Sequence, residues 1–208
     1  MAIPQEWGLR RLVPAMGRQA KVPPRGKRYG RKSGRWLEVP LMYSLLQPRP
    51  ITGFAKAETW RNPMMRYLFD LWDGIPLERS SADVQAIKLG LQALAQGKIL
   101  AIAPEGTRNR TGELKRAHPG IALIALRSQA PILPMAYFGH ENFTSNLKSL
   151  KRTPFKVKVG RGFTLPPPGL ESQKNVRQQI ADEIMFQVAS LLPARYRGAY
   201  SDLESATS

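Results

Sequence analysis

The chain has 208 residues, of which 42% are apolar, enough for one domain with a buried core and too many for a largely disordered protein. It contains no cysteine and two histidines, which excludes disulfides, a thiolate nucleophile and a cysteine-bound zinc and leaves little for any other metal site. The formal net charge of +17 predicts attraction to a polyanion: nucleic acid, an anionic lipid surface or a phosphorylated small molecule.

The N-terminal segment, residues 1–35, differs in composition from the rest of the chain. Residues 1–37 hold ten Lys or Arg and one acid, and prolines and glycines interrupt any helical or strand periodicity. We therefore expect this segment to be irregular. No stretch reaches the roughly 18 apolar residues of a spanning helix, and the first residues lack the apolar run of a secretory signal. These features predict a cytosolic or peripheral membrane protein without a transmembrane segment.

From residue 36 onward the chain alternates between helical and strand patterns. The predicted elements are a short apolar helix at 37–46, a strand at 51–55, a helix at 82–96, a strand at 99–103, a helix at 120–128, strands at 132–137 and 156–159, and a helix at 172–192. The strand at 99–103 is apolar on both faces, as in the interior of an α/β sheet. The order predicts one layered α/β domain over residues 36–200, with a mixed, mostly parallel sheet flanked by helices and a disordered tail at 201–208.

Two of the predicted helices carry further signals. Ser80 and Ser81 are good N-cap residues for the helix at 82–96, and Gly97 ends it. The last helix is predicted to bury one face, which is made of Val176, Ile180, Ile184, Val188 and Leu191.

The loop after the buried strand reads Pro-Glu-Gly-Thr-Arg at residues 104–108. Ligands of open α/β sheets bind beyond the carboxyl ends of strands, where this loop belongs. Gly106 would let the backbone approach an anion closely, and Thr107 offers a hydroxyl. Arg108 supplies a planar fork suited to phosphate, which Glu105 can hold in place. The alternative for these residues is an ordinary charged surface turn.

This motif is similar to the signature loop of the glycerophosphate acyltransferase superfamily, of the lysophosphatidate (1-acylglycerol-3-phosphate) acyltransferase type. Residues 74–79 resemble the upstream block of that family, and residues 130–134 resemble its downstream proline block. The resemblance implies a substrate phosphate-binding set that consists of Gly74, Arg79, Glu105, Gly106, Thr107 and Arg108. Lys115 and Arg116 are either auxiliary phosphate contacts or a solvated basic loop, and Gly74 also suits a simple turn.

The resemblance further implies a reaction of phospholipid biosynthesis. An acyl group passes from acyl-CoA or acyl-carrier protein to the free hydroxyl of lysophosphatidate, without a cofactor or a metal. In the family a histidine takes the hydroxyl proton, and an aspartate five positions later orients that histidine.

Here the sequence departs from the family pattern. Alignment on Trp36 places Ser33 where the histidine belongs and Glu38 where the aspartate belongs. A neutral hydroxyl has no useful basicity near neutral pH, so no catalytic pair is intact. The family also has a core strand before this motif, for which residues 1–32 offer no credible candidate. We therefore consider a chain that binds glycerol-phosphate headgroups without catalysis as the alternative function.

The family's histidine and its core strand are both missing upstream of Trp36, which suggests that residues 1–35 are a replaced or misread segment. Their positive charge is otherwise explained by contact with an anionic membrane, where each Lys or Arg contributes about 1 kcal/mol, or by a nucleic-acid arm. Nucleic acid ranks last because no recognition motif accompanies the charge. Neither histidine is a clear substitute base, since His118 before Pro119 suits a helix cap or the surface and His140 is equally well explained as structural.

Overall fold

The computed structural model describes residues 49–78, 83–106, 113–139, 143–165 and 174–206, together with the backbone of 13–17. The strands are β1 (Val13–Gly17), β2 (Ile51–Lys56), β3 (Ile75–Leu77), β4 (Ile99–Ala101), β5 (Ile132–Phe138) and β6 (Lys156–Val159). The α-helices are α1 (Pro63–Leu71), α2 (Val84–Ala95), α3 (Gly120–Ser128), α4 (Phe143–Lys148) and α5 (Lys174–Ser190). Short 3-10 helices lie at Ala57–Arg61, Ala194–Tyr196, Gly198–Tyr200 and Leu203–Ser205.

The strands form two three-stranded sheets. One has the order β3-β2-β4 with all strands parallel, and the other has the order β1-β5-β6 with β1 parallel and β6 antiparallel to β5. β1 also lies beside β4, so the two sheets meet along these strands. The predicted mixed, mostly parallel sheet is therefore confirmed.

A layer of three helices covers the sheets. α2 packs on β2, β3 and β4, α5 packs on β1 and β5, and α3 contacts both helices. All seven residues of β5 are buried, as expected of a strand in the interior of an α/β domain. The largest fully buried side chains are those of Leu94, Ile99, Leu100, Leu114, Leu126, Ile132, Ile184, Met185, Val188 and Leu192.

Helix α2 shows how local signals set the ends of an element. Gly97 has a φ of 81°, and backbone N–H groups beyond the helix donate to its last carbonyls, which is a glycine-terminated helix end as predicted. At the other end Asp83, rather than a serine, caps the helix, because its Oδ1 accepts from the N–H of Ala86 at 2.9 Å. Ser80 and Ser81 lie outside the described residues.

The two ends of the chain differ from expectation. Val13–Gly17 form a strand within the segment predicted to be irregular, and these residues pair in register with Ile132–Ala136. The prediction that no core strand precedes Trp36 was therefore wrong. The five residues include Pro14 and do not alternate between apolar and polar side chains, so the sequence gives no strand signal there. They form a strand because they pair with β5. In place of a disordered tail, Leu203–Ser205 form a 3-10 helix and Leu203 packs against the core.

The predicted helix at 37–46 lies outside the described residues. Within the described ranges, no helix combines the length and apolar character that crossing a bilayer requires.

Candidate phosphate-binding site

A tight turn follows the carboxyl end of β4. The N–H of Gly106 donates to the carbonyl of Ala103 at 3.0 Å and closes the turn across Pro104 and Glu105. Gly106 has a φ of 60°, a left-handed conformation that glycine adopts at little cost. The turn stands where ligands of α/β sheets bind, as the sequence predicted.

Glu105 anchors this turn from the inside. Its side chain is buried, with 2% of the residue exposed, and Oε2 accepts from the backbone N–H of Lys115 at 3.2 Å. A buried carboxylate requires such hydrogen bonds to offset its loss of hydration. Thr107 and Arg108 lie outside the described residues, so the contact between Glu105 and Arg108 stays a prediction.

His118 lies against the same turn. Its backbone N–H donates to the carbonyl of Pro104 at 2.9 Å. A Cβ on residue 106 would stand 2.5 Å from Cδ2 and 2.9 Å from Nε2 of the imidazole, so the ring occupies the space that a side chain would need. The sequence predicted a cap or surface role for this histidine. Contact with the turn was missed, because no local pattern reports a contact between residues 12 positions apart.

The segment that carries His118 is fixed in turn by the C-terminal part of the chain. The hydroxyl of Tyr200 accepts from the N–H of Ala117 at 2.8 Å and donates to Oδ1 of Asp182 at 2.7 Å. Nε2 of Gln178 donates to the Ala117 carbonyl at 3.0 Å. Burial, followed by the hydrogen bond to Asp182, raises the pKa of Tyr200, so the phenol stays protonated and remains a donor.

The two candidate auxiliary cations lie on this segment and are both exposed. Nη2 of Arg116 lies 3.1 Å from Oδ2 of Asp182, and this ion pair ties Arg116 to α5. Because the arginine side chain is 72% exposed, water screens the pair and its contribution to stability is small. Neither Lys115 nor Arg116 is shown contacting a phosphate, so the auxiliary role stays a prediction.

Gly74 has a packing role. A Cβ at this position would stand 2.8 Å from Cδ1 of Phe69, and the N–H of Gly74 donates to the Phe69 carbonyl at 2.7 Å. Any side chain would therefore disturb the turn between α1 and β3. This contact supports the turn interpretation of Gly74, and its share in phosphate binding stays a prediction.

Arg79 follows β3 by two positions. β3 and β4 both run parallel to β2, so β3 ends at the same edge of the sheet as the strand that precedes Gly106. Residues 78 and 83, on either side of Arg79 in the sequence, are joined by a hydrogen bond, since Oδ2 of Asp83 accepts from the N–H of Glu78 at 2.9 Å. Arg79 itself lies outside the described residues.

Ser33 and Glu38, the predicted catalytic positions, lie outside the described residues. Within the described ranges, no group of His, Asp or Glu side chains is arranged to hold a metal ion.

Comparison with known proteins identifies the class. The family profile described as Acyltransferase matches residues 35–138, which is half of the chain, and the chain therefore belongs to the acyltransferase family. The matched region includes the turn at Gly106 and ends with β5. It begins after Ser33.

Particular relatives carry a narrower name. A 1-acyl-sn-glycerol-3-phosphate acyltransferase from Limnanthes douglasii is 32% identical over 126 residues, which cover 59% of this chain and 43% of the relative. A protein of the same name from Bacillus subtilis is 28% identical over 125 residues, covering 60% of each chain. A lyso-ornithine lipid O-acyltransferase from Pseudomonas aeruginosa is 27% identical over 135 residues, covering 62% of this chain and 51% of the relative. The chain thus spans about half the length of these relatives.

A solved structure supports the fold. The crystal structure of the 1-acyl-sn-glycerophosphate (LPA) acyltransferase, PlsC, from Thermotoga maritima matches with a TM-score of 0.60 at 17% sequence identity. The match covers 99% of this chain and 70% of that one. The predicted family and the predicted α/β fold are both confirmed.

Proposed function

We propose that this chain is a protein of the 1-acylglycerol-3-phosphate O-acyltransferase type and that the turn at Gly106 forms the acceptor-phosphate half of its site. The carrying observation is the placement of Glu105 and Gly106, which lie at the carboxyl end of a parallel strand and directly precede Thr107 and Arg108. The names of the relatives support lysophosphatidate as the acceptor. The donor is an acyl thioester of CoA or of acyl-carrier protein.

The reaction requires two kinds of group. The guanidinium of Arg108 and the backbone of the turn hold the phosphate, and this fixes the free hydroxyl of the acceptor in position. The hydroxyl oxygen then attacks the thioester carbonyl, its proton passes to a general base, and the thiol leaves. Of the first kind of group, the structure describes the backbone of the turn at Gly106, and Arg108 follows it by two positions in the sequence.

A second function, headgroup binding without acyl transfer, is favoured by Ser33. This residue stands at the position of the family's histidine, and its neutral hydroxyl cannot act as a general base near neutral pH. The same phosphate site would then hold lysophosphatidate without turnover.

A thioester-cleavage assay with acyl-CoA or acyl-carrier protein and lysophosphatidate separates the two functions. Turnover above the rate without protein supports the transferase, whereas lysophosphatidate binding in calorimetry without turnover supports the binding function. Arg108→Ala should weaken binding by about tenfold to a hundredfold, as expected for loss of charge-assisted hydrogen bonds. Arg127→Ala, which changes an exposed arginine at the end of α3, is the control. Unchanged binding in Arg108→Ala would remove the proposed site.

The double substitution Ser33→His with Glu38→Asp tests the missing base. If the segment holds these positions as the family does, turnover should rise by a factor on the order of 100 or more. No increase in a folded variant would indicate that residues 33–38 do not face the acceptor.

We also place the protein at the inner surface of a membrane, where its lipid acceptor resides. The net charge of +17 supports an anionic surface as the partner. Nucleic acid remains the less favoured polyanion because the sequence has no recognition motif.

A further inference from the structure

The segment between α4 and β6 exposes a leucine in a strongly basic setting. Leu150 is 95% exposed, the highest exposure of any large apolar residue in the part of the chain that the structure describes. Residues 148–161, here called the Leu150 patch, contain no Asp or Glu. The patch has six exposed cations, which are Lys148, Lys151, Arg152, Lys156, Lys158 and Arg161.

The backbone presents this leucine to solvent at a cost in stability. Leu150 has a φ of 52°, and it occupies the position after the end of α4 that is usually glycine, with the N–H of Lys151 donating to the carbonyl of Asn146 at 2.8 Å. A bulky L-residue is strained in this conformation. The amide of Asn146 also donates to Oγ1 of Thr153 at 3.2 Å and fixes the loop. Leu150 therefore projects from an ordered turn.

The loop of this patch, residues 149–155, lies at the ligand-binding end of its sheet. Gly139 is the first residue after β5, and a Cβ there would overlap the carbonyl oxygen of Pro154. The loop thus lies against the carboxyl end of β5, which in α/β domains is the end where ligands bind.

A second exposed apolar face lacks the excess of positive charge that the same partner requires. On α1, Met64, Tyr67 and Leu71 are 64%, 69% and 66% exposed. Asp70 and Asp73 lie beside Leu71 and form ion pairs with Arg66 and Lys98. The charges on this face therefore cancel, and nothing in them attracts an anionic surface. Charge complementarity therefore selects the Leu150 patch.

We propose that the Leu150 patch docks the protein on an anionic lipid bilayer. Leu150 inserts among the acyl chains, and the Lys and Arg side chains next to it in the loop contact headgroup phosphates. This inference rests on the proposed function, since it assigns the surface by which the protein reaches a lipid acceptor. Nucleic acid would attract the same cations, but it offers no apolar phase for the leucine.

The first test is co-sedimentation of the full chain with vesicles of equal parts phosphatidylglycerol and phosphatidylcholine. Leu150→Gly should weaken vesicle binding about tenfold, as expected for loss of one buried leucine side chain. The Tm of the Leu150→Gly variant should equal or exceed that of the unchanged protein, because glycine relieves the strained φ. Leu71→Ser is the matched control, an exposed leucine beside acids, and should bind as the unchanged protein does. Retained binding in Leu150→Gly, or loss in Leu71→Ser alone, would overturn the proposal.

The second test removes charge. The triple substitution Lys148→Gln, Lys151→Gln and Arg152→Gln should weaken binding on the order of 100-fold, and pure phosphatidylcholine vesicles should bind poorly in every case. If this variant loses binding while Leu150→Gly keeps it, the patch is a general polyanion site and bilayer docking is refuted.

A third measurement separates this inference from the proposed function. Binding of a short-chain lysophosphatidate dissolved below its aggregation concentration should be the same in the Leu150→Gly variant as in the unchanged protein. Failure of the unchanged protein to bind it would count against the proposed function and leave the vesicle result intact.

Discussion

At Gly106 two constraints meet on a single residue. Its φ lies in the left-handed region, and the His118 ring fills the space beside its α-carbon. The glycine in the signature motif is therefore required by the protein's own packing, whatever its part in the proposed phosphate site. The family motif and the folding requirement coincide at this position.

Substitution Gly106→Ala should lower the free energy of unfolding by about 1–2 kcal/mol from the backbone conformation alone, with more from contact with the ring. Adding His118→Ala should restore the share of the free energy of unfolding that is lost to contact with the ring, but not the share that is lost to the backbone conformation. Urea unfolding measures the free energy of unfolding of the single and the double variant. Calorimetry with lysophosphatidate should show weaker binding in both variants.

Gly120→Ala is the control, because no atom beyond its chain neighbours and its own helix backbone lies within 4 Å of the added Cβ and alanine suits the helix better than glycine. It should be neutral or stabilising. A Gly106→Ala protein as stable as the Gly120→Ala protein would contradict the proposed packing of the turn.

At the scale of the element, Asp83 joins a helix end to the loop that contains Arg79. Its two carboxylate oxygens accept from Ala86 and Glu78. These hydrogen bonds, that of Ala86 first, lower the pKa of Asp83 from its ordinary value of 3.8. Folding therefore stabilises the ionised form of the Asp83 carboxyl group more than its protonated form.

Asp83→Ala should lower the free energy of unfolding by about 1 kcal/mol at neutral pH, the usual effect of losing a helix cap. Because the folded-state pKa is depressed, this contribution is present above pH 3.8 and is lost as the pH falls through the folded-state pKa. Urea unfolding of both proteins should show a difference that narrows on acidification. A difference that stays constant into acid would show that the charge of Asp83 is not involved.

Tyr200 joins α5 to the segment behind the signature turn. Tyr200→Phe keeps the ring contact with Phe186, whose centroid lies 5.1 Å away, and removes the hydroxyl that serves Ala117 and Asp182. Leaving a buried N–H without its acceptor should lower the free energy of unfolding by about 1–3 kcal/mol. Thermal unfolding measures the loss.

Lysophosphatidate binding should weaken in the same Tyr200→Phe variant, because the loosened segment supports Glu105. Tyr67→Phe changes a tyrosine that is 69% exposed and should be nearly neutral. Equal stability of the two variants would mean that the Tyr200 hydroxyl does not hold the segment.

For the whole molecule, β1 decides how the two sheets meet. It pairs with β5 and lies beside β4, so residues 13–17 of the N-terminal segment have a structural role. Removing residues 1–17 should destabilise the domain and favour aggregation, because the edge of β5 would lose its partner.

Removing residues 1–12 alone leaves β1 in place and should have little effect on urea unfolding or on the elution volume in size-exclusion chromatography. If both truncations behave like the full chain, β1 does not contribute to stability, and the hypothesis of a replaced or misread segment gains support.

The sequence by itself determined the elements whose signals are local. The bounds of α3 and β6 match the prediction, and α2 ends where Gly97 permits a left-handed residue. The loop at Glu105 and Gly106 was predicted from its residues and its place after a buried strand. Such features follow because apolar periodicity, glycine and the length of a strand act within a few residues.

The tertiary structure alone decided which distant groups meet. The strand at Val13–Gly17, the His118 ring against Gly106 and the Tyr200 hydroxyl at Ala117 each join residues far apart in the chain. The buried face of α5 likewise follows its neighbours: beside the predicted Ile184 and Val188 it includes Ala181, Met185 and Ala189. The physical reason is that burial and hydrogen bonding depend on which surface packs opposite, and a residue's chain neighbours do not specify that surface.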